Sequence, residues 1–339
     1  LFLKKFFKYI KFFLDILKVI RKNFFESSEE MIYTLTLNPS IDYVVSLDSL
    51  KEDHVNRTSS EKFYGGGKGI NVSRILKEFD IESICFGFTG GFTGEFIKNF
   101  LDEHCIAHDF INIQNGCSRI NVKIKTNFNE TEINGRGPKI LDNEIDLLMK
   151  KLKNLNDNDI LILSGSIHPS LPENFYENIM KILEHRKIKI VVDATGNLLF
   201  NVLKHNPFLI KPNQNEICEM FNVKLSSNEK IIEYGFKLKN LGAKNVLISL
   251  GKDGAILITE NDEIYKSNVP NGIVKNSVGA GDSMVGGFIA GYLRNSNYEE
   301  ALKFGTASGS ATAFSLDIGE KFLISKLLRK IEIIKLTEV

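Results

Sequence analysis

From Met31 onward, short apolar runs alternate with stretches in which apolar residues recur every three or four positions. Continuous apolar runs are typical of parallel strands that are buried on both faces. The runs are IYTLTL (32–37), SICFGF (83–88), DILILSG (159–165), KIVVDA (189–194) and NVLISLG (245–251). Helical periodicity lies between them, at 93–104, 143–155, 172–186 and 229–242. This alternation predicts an α/β fold with a mainly parallel central sheet that is covered by helices on both faces.

Two segments, 43–64 and 117–135, interrupt the alternation. Both combine β-favouring residues with interleaved polar positions and turn residues. We expect them to form a small antiparallel β-sheet attached to the α/β body, in the position of a lid. The predicted organisation is therefore one domain, residues 31–339, with this lid.

Residues 1–30 differ in composition from the rest of the chain. The first 25 contain seven Lys or Arg and one Asp, placed among Phe, Leu and Ile. These charges interrupt the apolar run too often for a membrane span. Two interpretations remain open: a non-native or disordered extension, or a basic amphipathic helix on a membrane surface. Membrane contact is expected only if residues 1–22 are genuinely translated, and we leave 1–30 out of the fold prediction.

The composition narrows the class of protein. Hydrophobic residues make up 43% and charged residues 25% of the chain, as in soluble globular proteins. The net charge is +1, and removing the seven positive and four negative charges of residues 1–30 leaves −2, which excludes a globally basic nucleic-acid binder. The four cysteines lie far apart without a CxxC spacing, which indicates a reducing compartment, hence the cytoplasm, and no disulfide framework or zinc site.

Polar clusters follow several predicted strands. NPSID, with Asn38 and Asp42, follows the first strand; SIHPS and TGN follow two others, and KPNQNE precedes a helix. Each cluster alone is typical of turn and helix-cap chemistry. Because ligands of open α/β sheets bind outside the carboxyl ends of the strands, their repetition at equivalent places indicates one shared site.

Two glycine-rich segments carry the candidate chemistry. In GGGKGINVSR (65–74), Lys68 precedes Gly and not Ser or Thr, so the Walker pattern is absent. The segment is either a bare turn before a helix or a place where a polyhydroxyl ligand lies against the backbone, with Asn71 as a hydrogen-bonding partner.

The second segment is VGAGDSMVGGF (278–288), in which a glycine turn precedes a helix. The amides of this turn and the helix N-terminus would form an anion pocket. Asp282 lies in the first helical turn, where a carboxylate can simply complement the helix dipole. Beside an anion pocket, however, it is also suited to abstract a hydroxyl proton during phosphoryl transfer.

Taken together, the motifs are similar to those of the PfkB (ribokinase-like) carbohydrate kinases over essentially all of 31–339. The markers are LNPSID, GGGKGINVSR, SGSIHPS, VVDATG, KPNQNE, ISLGKDGA and VGAGDSMVGGF. The resemblance implies a ribokinase-like three-layer sandwich with a small β-sheet lid, and ATP-dependent phosphorylation assisted by Mg²⁺. VNRT, GFTGGFTGEFI, SRINVKIK and TEIN are most similar to the 1-phosphofructokinase branch, which implies fructose 1-phosphate as substrate and fructose 1,6-bisphosphate as product.

The resemblance also implies roles for individual residues. Asp282 would be the catalytic base, with Gly279, Ala280 and Gly281 as the anion hole. Sugar hydroxyls would be bound by Asp42, Gly66, Gly67 and Asn71, and the substrate's existing phosphate by Arg119 and Ser166. Asn213 and Glu216 would organise Mg²⁺ through water. The nucleotide site would comprise these two residues with Lys211, Ser249, Gly251 and Gly309.

Several alternatives stay open at this point. Tagatose 6-phosphate or fructose 6-phosphate is an alternative substrate, and a non-catalytic sugar-phosphate sensor is an alternative function. The family also implies a homodimer formed through the lid. Two positions depart from the family pattern: Arg136, which is either a surface substitution or an extra phosphate contact, and His168, which is expected to be a turn residue.

Overall fold

The computed structural model describes residues 30–127 and 129–336. By its internal contacts the chain divides into residues 1–31 and 32–339, and the description below concerns the second unit. The proposed membrane-surface helix within residues 1–22 lies outside the described residues. Among the residues that are described, no helix is both long enough and apolar enough to cross a membrane.

The main sheet has 11 strands, and a separate sheet has four. The strands are β1 Ile32–Thr36, β2 Ser40–Ser46, β3 Ser60–Gly66, β4 Ser83–Gly90, β5 Ala107–His108, β6 Ile111–Ile113, β7 Arg119–Lys125, β8 Glu130–Asn134, β9 Ile160–Ser164, β10 Lys189–Asp193, β11 Leu209–Ile210, β12 Asn245–Ser249, β13 Ala255–Ile258, β14 Ile264–Ser267 and β15 Ile333–Leu336. The helices are α1 Lys68–Glu78, α2 Gly91–Glu103, α3 Asp142–Lys153, α4 Phe175–Leu183, α5 Asn197–Leu203, α6 Gln214–Phe221, α7 Asn228–Asn240, α8 Ala280–Asn295, α9 Tyr298–Ala313 and α10 Lys321–Leu328.

The order in the main sheet is β15-β14-β13-β12-β11-β10-β9-β1-β4-β5, with β6 also paired to β4. All pairs from β12 through β5 are parallel, whereas β12 to β15 pair antiparallel. The predicted mainly parallel sheet with helical layers is therefore confirmed. The antiparallel edge from β13 to β15 was not predicted from the sequence.

Successive residues of the central strand β9 belong to different cores. Leu161 and Leu163 pack in the cluster under α3 to α7, whereas Ile160 and Ile162 pack against α1 and α8 on the other face. All four are fully buried. Each such side chain contributes about 1.5–3 kcal/mol when it is removed from water, so the absence of polar alternation in this strand follows from helices on both faces.

Helix α8 is buried around its whole circumference from Asp282 to Tyr292. Val285, Phe288 and Ile289 are fully buried in the core, and Leu293 is half-buried. The other faces are also covered, because glycines let α1 and α9 approach closely: a Cβ atom on Gly287 would lie 2.5 Å from the carbonyl oxygen of Phe304. The N-terminus of α8 is therefore held firmly in the body.

The lid sheet, strands β3-β2-β7-β8, comes from the two segments predicted to form it. The prediction that it is antiparallel is only partly right: β2–β3 and β7–β8 are antiparallel, but the central β2–β7 pair is parallel. The reason is that both hairpins leave the body at one place, where Ser40 lies opposite Arg119, and then run in the same direction.

Candidate active site

The turn before α8 is built on Gly279, which has φ +79° and caps the helix. A side chain there would be strained by this backbone angle and would also approach Ile318. The amide of Ala280 donates to the carbonyl of Ser277, at 3.2 Å. The following amides, of Gly281 and Asp282, belong to the first helical turn and lack an intrahelical acceptor. An anion at this turn would meet these N–H groups and the positive end of the helix dipole.

Asp282 points its carboxylate away from water, and only 5% of the residue is exposed. The Asn71 side-chain amide donates to its Oδ2 at 2.9 Å, which joins α1 to α8 at this point. Burial and the negative charge of Asp193 raise the pKa of Asp282 to about 6. A carboxylate with this pKa is ionised at neutral pH and can accept a proton.

Asp193, at the end of β10, is a site residue that the sequence analysis missed. Its carboxylate lies between two ammonium groups, with Lys211 Nζ 3.2 Å from Oδ1 and Lys68 Nζ 3.6 Å from Oδ2. Burial alone would raise the pKa of Asp193, but Lys211 and Lys68 hold it below its ordinary value. Lys68 was also missed, because the residue after it is Gly and the segment therefore lacks the Walker pattern. Asp193 lies in the motif VVDATG and Lys68 in GGGKG.

On the lid side, Asp42 is the centre of a hydrogen-bond network. It accepts from the Ser40 hydroxyl at 2.8 Å, from the Asn121 amide at 3.0 Å and from the Lys123 ammonium at 2.8 Å. A Cβ atom on Gly66 would lie 2.6 Å from the Asp42 carboxylate, so the glycine backbone rests against it. Asn121 and Lys123 were missed, although their two-residue spacing from Arg119 places all three on one face of β7.

A small cavity of about 40 Å³ lies between this lid face and the body. Asp42, Gly66 and Asn71, which were predicted to bind the sugar, line it. It is also lined by Arg74, Tyr64, Lys123, Lys125 and Asp317. The structure thus brings most of the predicted sugar-binding residues together and adds several cationic groups.

Arg119 and Ser166 do not line this cavity. The Arg119 guanidinium donates from Nε to the carbonyl of Asn38 at 3.0 Å and from Nη1 to that of Gly135 at 3.5 Å, at the base of the lid. Ser166 is exposed in the loop after β9. Their predicted contacts with the substrate's phosphate remain predictions.

A larger cleft, of about 610 Å³, opens on the other side of the glycine turn. Four of the predicted nucleotide-site residues line it: Asn213, Ser249, Gly251 and Gly309. Ala280 and Gly281 form its edge nearest to Asp282. Lys211 is not among its lining residues, because its ammonium is turned towards Asp193.

Asn213 and Glu216 form a reciprocal cap on α6. The Asn213 side chain accepts from the Glu216 amide at 2.8 Å, and Glu216 Oε2 accepts from the Asn213 amide at 2.8 Å. Both side chains are thereby engaged with the backbone, and the described residues contain no cluster of three or more acids, histidines or cysteines that could hold a metal directly. This donor set fits a hydrated Mg²⁺ held through water, and not a fully protein-coordinated ion.

The two positions that depart from the family pattern lie next to each other at the lid base. The Arg136 carbonyl accepts from the Asn38 amide at 3.1 Å. His168 is buried, and its Nδ1 accepts from the Ser170 amide at 3.0 Å, so this imidazole holds a turn, as expected.

Comparison with known proteins agrees with this arrangement. The family model for pfkB family carbohydrate kinases matches residues 35–320. A 1-phosphofructokinase of Bacillus subtilis (strain 168) is 45% identical over 306 residues, which is 90% of this chain and 100% of the relative. A D-tagatose-1-phosphate kinase of Bacillus licheniformis is 37% identical over 304 residues, 89% of this chain and 99% of the relative.

Among solved structures, phosphofructokinase-2 from Escherichia coli in complex with fructose-6-phosphate matches with a TM-score of 0.82. It is 26% identical, and the match covers 89% of this chain and 99% of that one. The shared fold therefore includes both the α/β body and the lid. From its motifs, its fold and these relatives, the chain belongs to the pfkB family of carbohydrate kinases.

Proposed function

We propose that this kinase transfers the terminal phosphoryl group of ATP to the 6-hydroxyl of fructose 1-phosphate and so produces fructose 1,6-bisphosphate. One observation carries the mechanism: Asp282 lies between a residue that lines the small cavity and a residue that lines the larger cleft, although it lines neither itself. Asn71, its hydrogen-bond partner, lines the small cavity under the lid, while its neighbour Gly281 lines the larger cleft. A base in this place can accept the hydroxyl proton of a sugar bound in the first cavity while a nucleotide bound in the second donates the phosphoryl group.

The charges of the two substrates explain the groups that surround them. ATP and a sugar phosphate together carry about six negative charges at neutral pH. Arg119, Lys123 and Lys125 lie on the lid side, and Lys68 and Lys211 lie on either side of Asp193. Because each of these lysines is paired with a carboxylate, the cations reduce the repulsion between the site's own acids and the two anionic substrates.

In the proposed reaction, the Asp282 carboxylate accepts the proton of the sugar hydroxyl as the hydroxyl oxygen attacks the γ-phosphorus. The bond to the β,γ-bridging oxygen breaks, and ADP leaves with the electron pair. The free amides at the start of α8 stabilise the negative charge on the transferred group. Burial of Asp282 favours proton transfer, because it raises the pKa of the carboxyl group towards neutrality.

We assign Asn213 and Glu216 to Mg²⁺, which they would hold through water. When bound, Mg²⁺ neutralises charge on the nucleotide phosphates. The residues' own part is to fix the start of α6 beside the cleft, since each caps the other's backbone amide.

We further propose that the kinase is a homodimer joined through the lids. The lid face turned away from the site is largely apolar: Tyr43 and Phe63 stack at 4.5 Å, and Phe63, Ile120 and Ile133 are exposed in the single chain. An apolar sheet face of this kind is covered when two copies pack together, and burial of the lid would also steady its closed position.

A ketohexose phosphate other than fructose 1-phosphate is the second candidate, because one close relative is a D-tagatose-1-phosphate kinase and the matched structure holds fructose-6-phosphate. The deciding experiment measures Mg·ATP-dependent kcat/KM of the full chain on fructose 1-phosphate, fructose 6-phosphate, tagatose 1-phosphate and tagatose 6-phosphate. Preference for fructose 1-phosphate by tenfold or more supports the proposal. Preference for another of these sugars keeps the kinase chemistry and overturns the substrate assignment.

A further inference from the structure

Lys68 extends from the start of a helix to the buried carboxylate of Asp193. It begins α1 directly after the glycines of β3. Its methylene groups pass over Gly165, since a Cβ atom on that glycine would lie 3.7 Å from Lys68 Cγ and Cδ. Its ammonium group ends 3.6 Å from Asp193 Oδ2, and 41% of the side chain is exposed.

Lys211 reaches the same carboxylate from the nucleotide side. Its Nζ lies 3.2 Å from Asp193 Oδ1, and a Cβ atom on Gly281 would lie 3.1 Å from it, so the ammonium rests against the glycine turn. Only 3% of the Asp193 side chain is exposed. Water therefore screens the negative charge of Asp193 poorly, and the two ammonium groups offset it instead.

The charge balance around Asp193 reaches Asp282. The groups that act on the charge of Asp282 are the carboxylate of Asp193, the ammonium groups of Lys68 and Lys211, and the amide of Asn71, which contacts it directly at 2.9 Å. Burial and Asp193 raise the pKa of Asp282, whereas Lys68, Asn71 and Lys211 lower it. Lys68 itself stays charged: burial disfavours its ammonium form, but Asp193, Asp282 and Glu216 hold its pKa above the ordinary value.

We propose that Lys68 is a positioning residue of the transfer reaction: its ammonium compensates the buried Asp193 carboxylate and so keeps Asp282 ionised and ready to accept a proton. Lys68 acts through the two aspartates and does not itself take part in the proton transfer. The inference rests on the proposed function, since it assumes that Asp282 is the base.

The test compares the pH dependence of kcat/KM for the wild type, Lys68→Met and Lys68→Arg. Lys68→Met removes a positive charge, so Asp282 keeps its proton to higher pH. The acidic limb of the pH profile of kcat/KM should therefore shift to higher pH by about half to one unit. At pH 8, where Asp282 is ionised in both proteins, the activities converge, and Lys68→Arg restores the wild-type limb. The sugar phosphate titrates near pH 6 as well, but it is the same in every comparison.

Lys77→Met is the matched control, because it removes the same charge from the last turn of the same helix. About 14 Å of helix separates the two positions, and we expect no shift of the limb. A second readout needs no turnover: titration of the ¹³C-labelled aspartate carboxyl groups by NMR, with the Asp282 signal identified by its loss in Asp282→Asn.

The alternatives give different results. An unchanged acid limb with a raised sugar KM at every pH means that Lys68 binds the sugar directly, and it overturns the inference. A uniform loss of kcat at all pH values means a structural role and has the same consequence. If the wild type phosphorylates none of the sugars, the proposed function fails, while the Asp282 titration in wild type and Lys68→Met still decides the role of Lys68.

Discussion

The Lys123 ammonium lies 2.8 Å from Asp42 Oδ2, and the two side chains are mostly buried on neighbouring lid strands. Asp42 is thus held in place by a cation as well as by the hydroxyl of Ser40 and the amide of Asn121. The pair fixes the carboxylate on the face of the lid that looks towards the small cavity.

Replacing Lys123 by Met is therefore expected to weaken sugar binding. Asp42 would lose its charged partner and its fixed orientation, and KM for the sugar phosphate should rise by about tenfold, while KM for ATP changes little. Steady-state kinetics with each substrate varied in turn measures both. Lys62→Met, at an exposed position on β3, is the control, and equal changes in both KM values would contradict the assignment.

Replacement of Asp282 by Asn should remove turnover and leave binding intact. The amide keeps the shape and the contact with Asn71 but cannot accept a proton, so kcat should fall by about 10³-fold. Calorimetry of sugar-phosphate and nucleotide binding should give affinities within a few-fold of wild type. Retained turnover in this variant would show that another group takes the proton.

Asp282 should titrate near pH 6 in the free protein. In the proposed mechanism the ionised form is the active one, so kcat/KM should rise as the pH increases through this value and then level off. The NMR titration of its carboxyl group measures the midpoint directly. A midpoint near pH 4, the ordinary value for Asp, would mean that burial and Asp193 do not govern this group.

Gly287→Ala should destabilise the fold without changing the chemistry of the site. The new methyl group would lie 2.5 Å from the Phe304 carbonyl oxygen and 2.4 Å from Ser308 Oγ, so α8 and α9 must separate. We expect a loss of about 3 kcal/mol in the free energy of unfolding, seen as a lowered Tm. Gly196→Ala is the comparison: a methyl group there meets no atom within 4 Å, so its cost of about 1–3 kcal/mol comes from the backbone angles (φ +57°, ψ −135°) and not from a clash between helices.

Phe63→Glu should weaken the proposed lid-to-lid dimer. The residue is 52% exposed in the single chain and stacks on Tyr43, so a charge there would have to be buried between two copies. Sedimentation velocity should show a shift towards monomer over a concentration series. Phe322→Glu, at an exposed position on α10, should leave the distribution unchanged; a monomeric wild type would end the dimer proposal.

The α/β body could be predicted because its strands are buried on both faces. Leu161 and Ile162 belong to opposite cores, yet both must be apolar, and such a run is visible in the sequence. The strands β13 to β15 were missed for a different reason: each has only four residues and they pair antiparallel at the edge of the sheet. No helix separates β13 from β14, whereas three helices separate β14 from β15.

Within the site, the predictable residues were those that sit in glycine-rich turns or helix caps, such as Gly279 and Asn213. The ion pair between Asp193 and Lys68 could not be predicted from the sequence, because it links the end of a strand to the start of a helix far away along the chain. Lys123 had a visible signal, since every second residue of β7 from Arg119 is polar, but its partner depends on the parallel pairing of β2 and β7.

The lid is made of two hairpins, inserted after β1 and after β6, whereas Asp282 and the glycine turn belong to a helix enclosed by the body. Substitutions in the hairpins can therefore accumulate without disturbing the proposed base. Over evolutionary time, such a division favours the exchange of one sugar for another through changes in the inserts and in the few body residues, such as Arg74 and Asp317, that line the small cavity with them. Efforts to redirect this kinase towards a new acceptor should accordingly randomise β2, β3, β7 and β8 and leave α8 untouched.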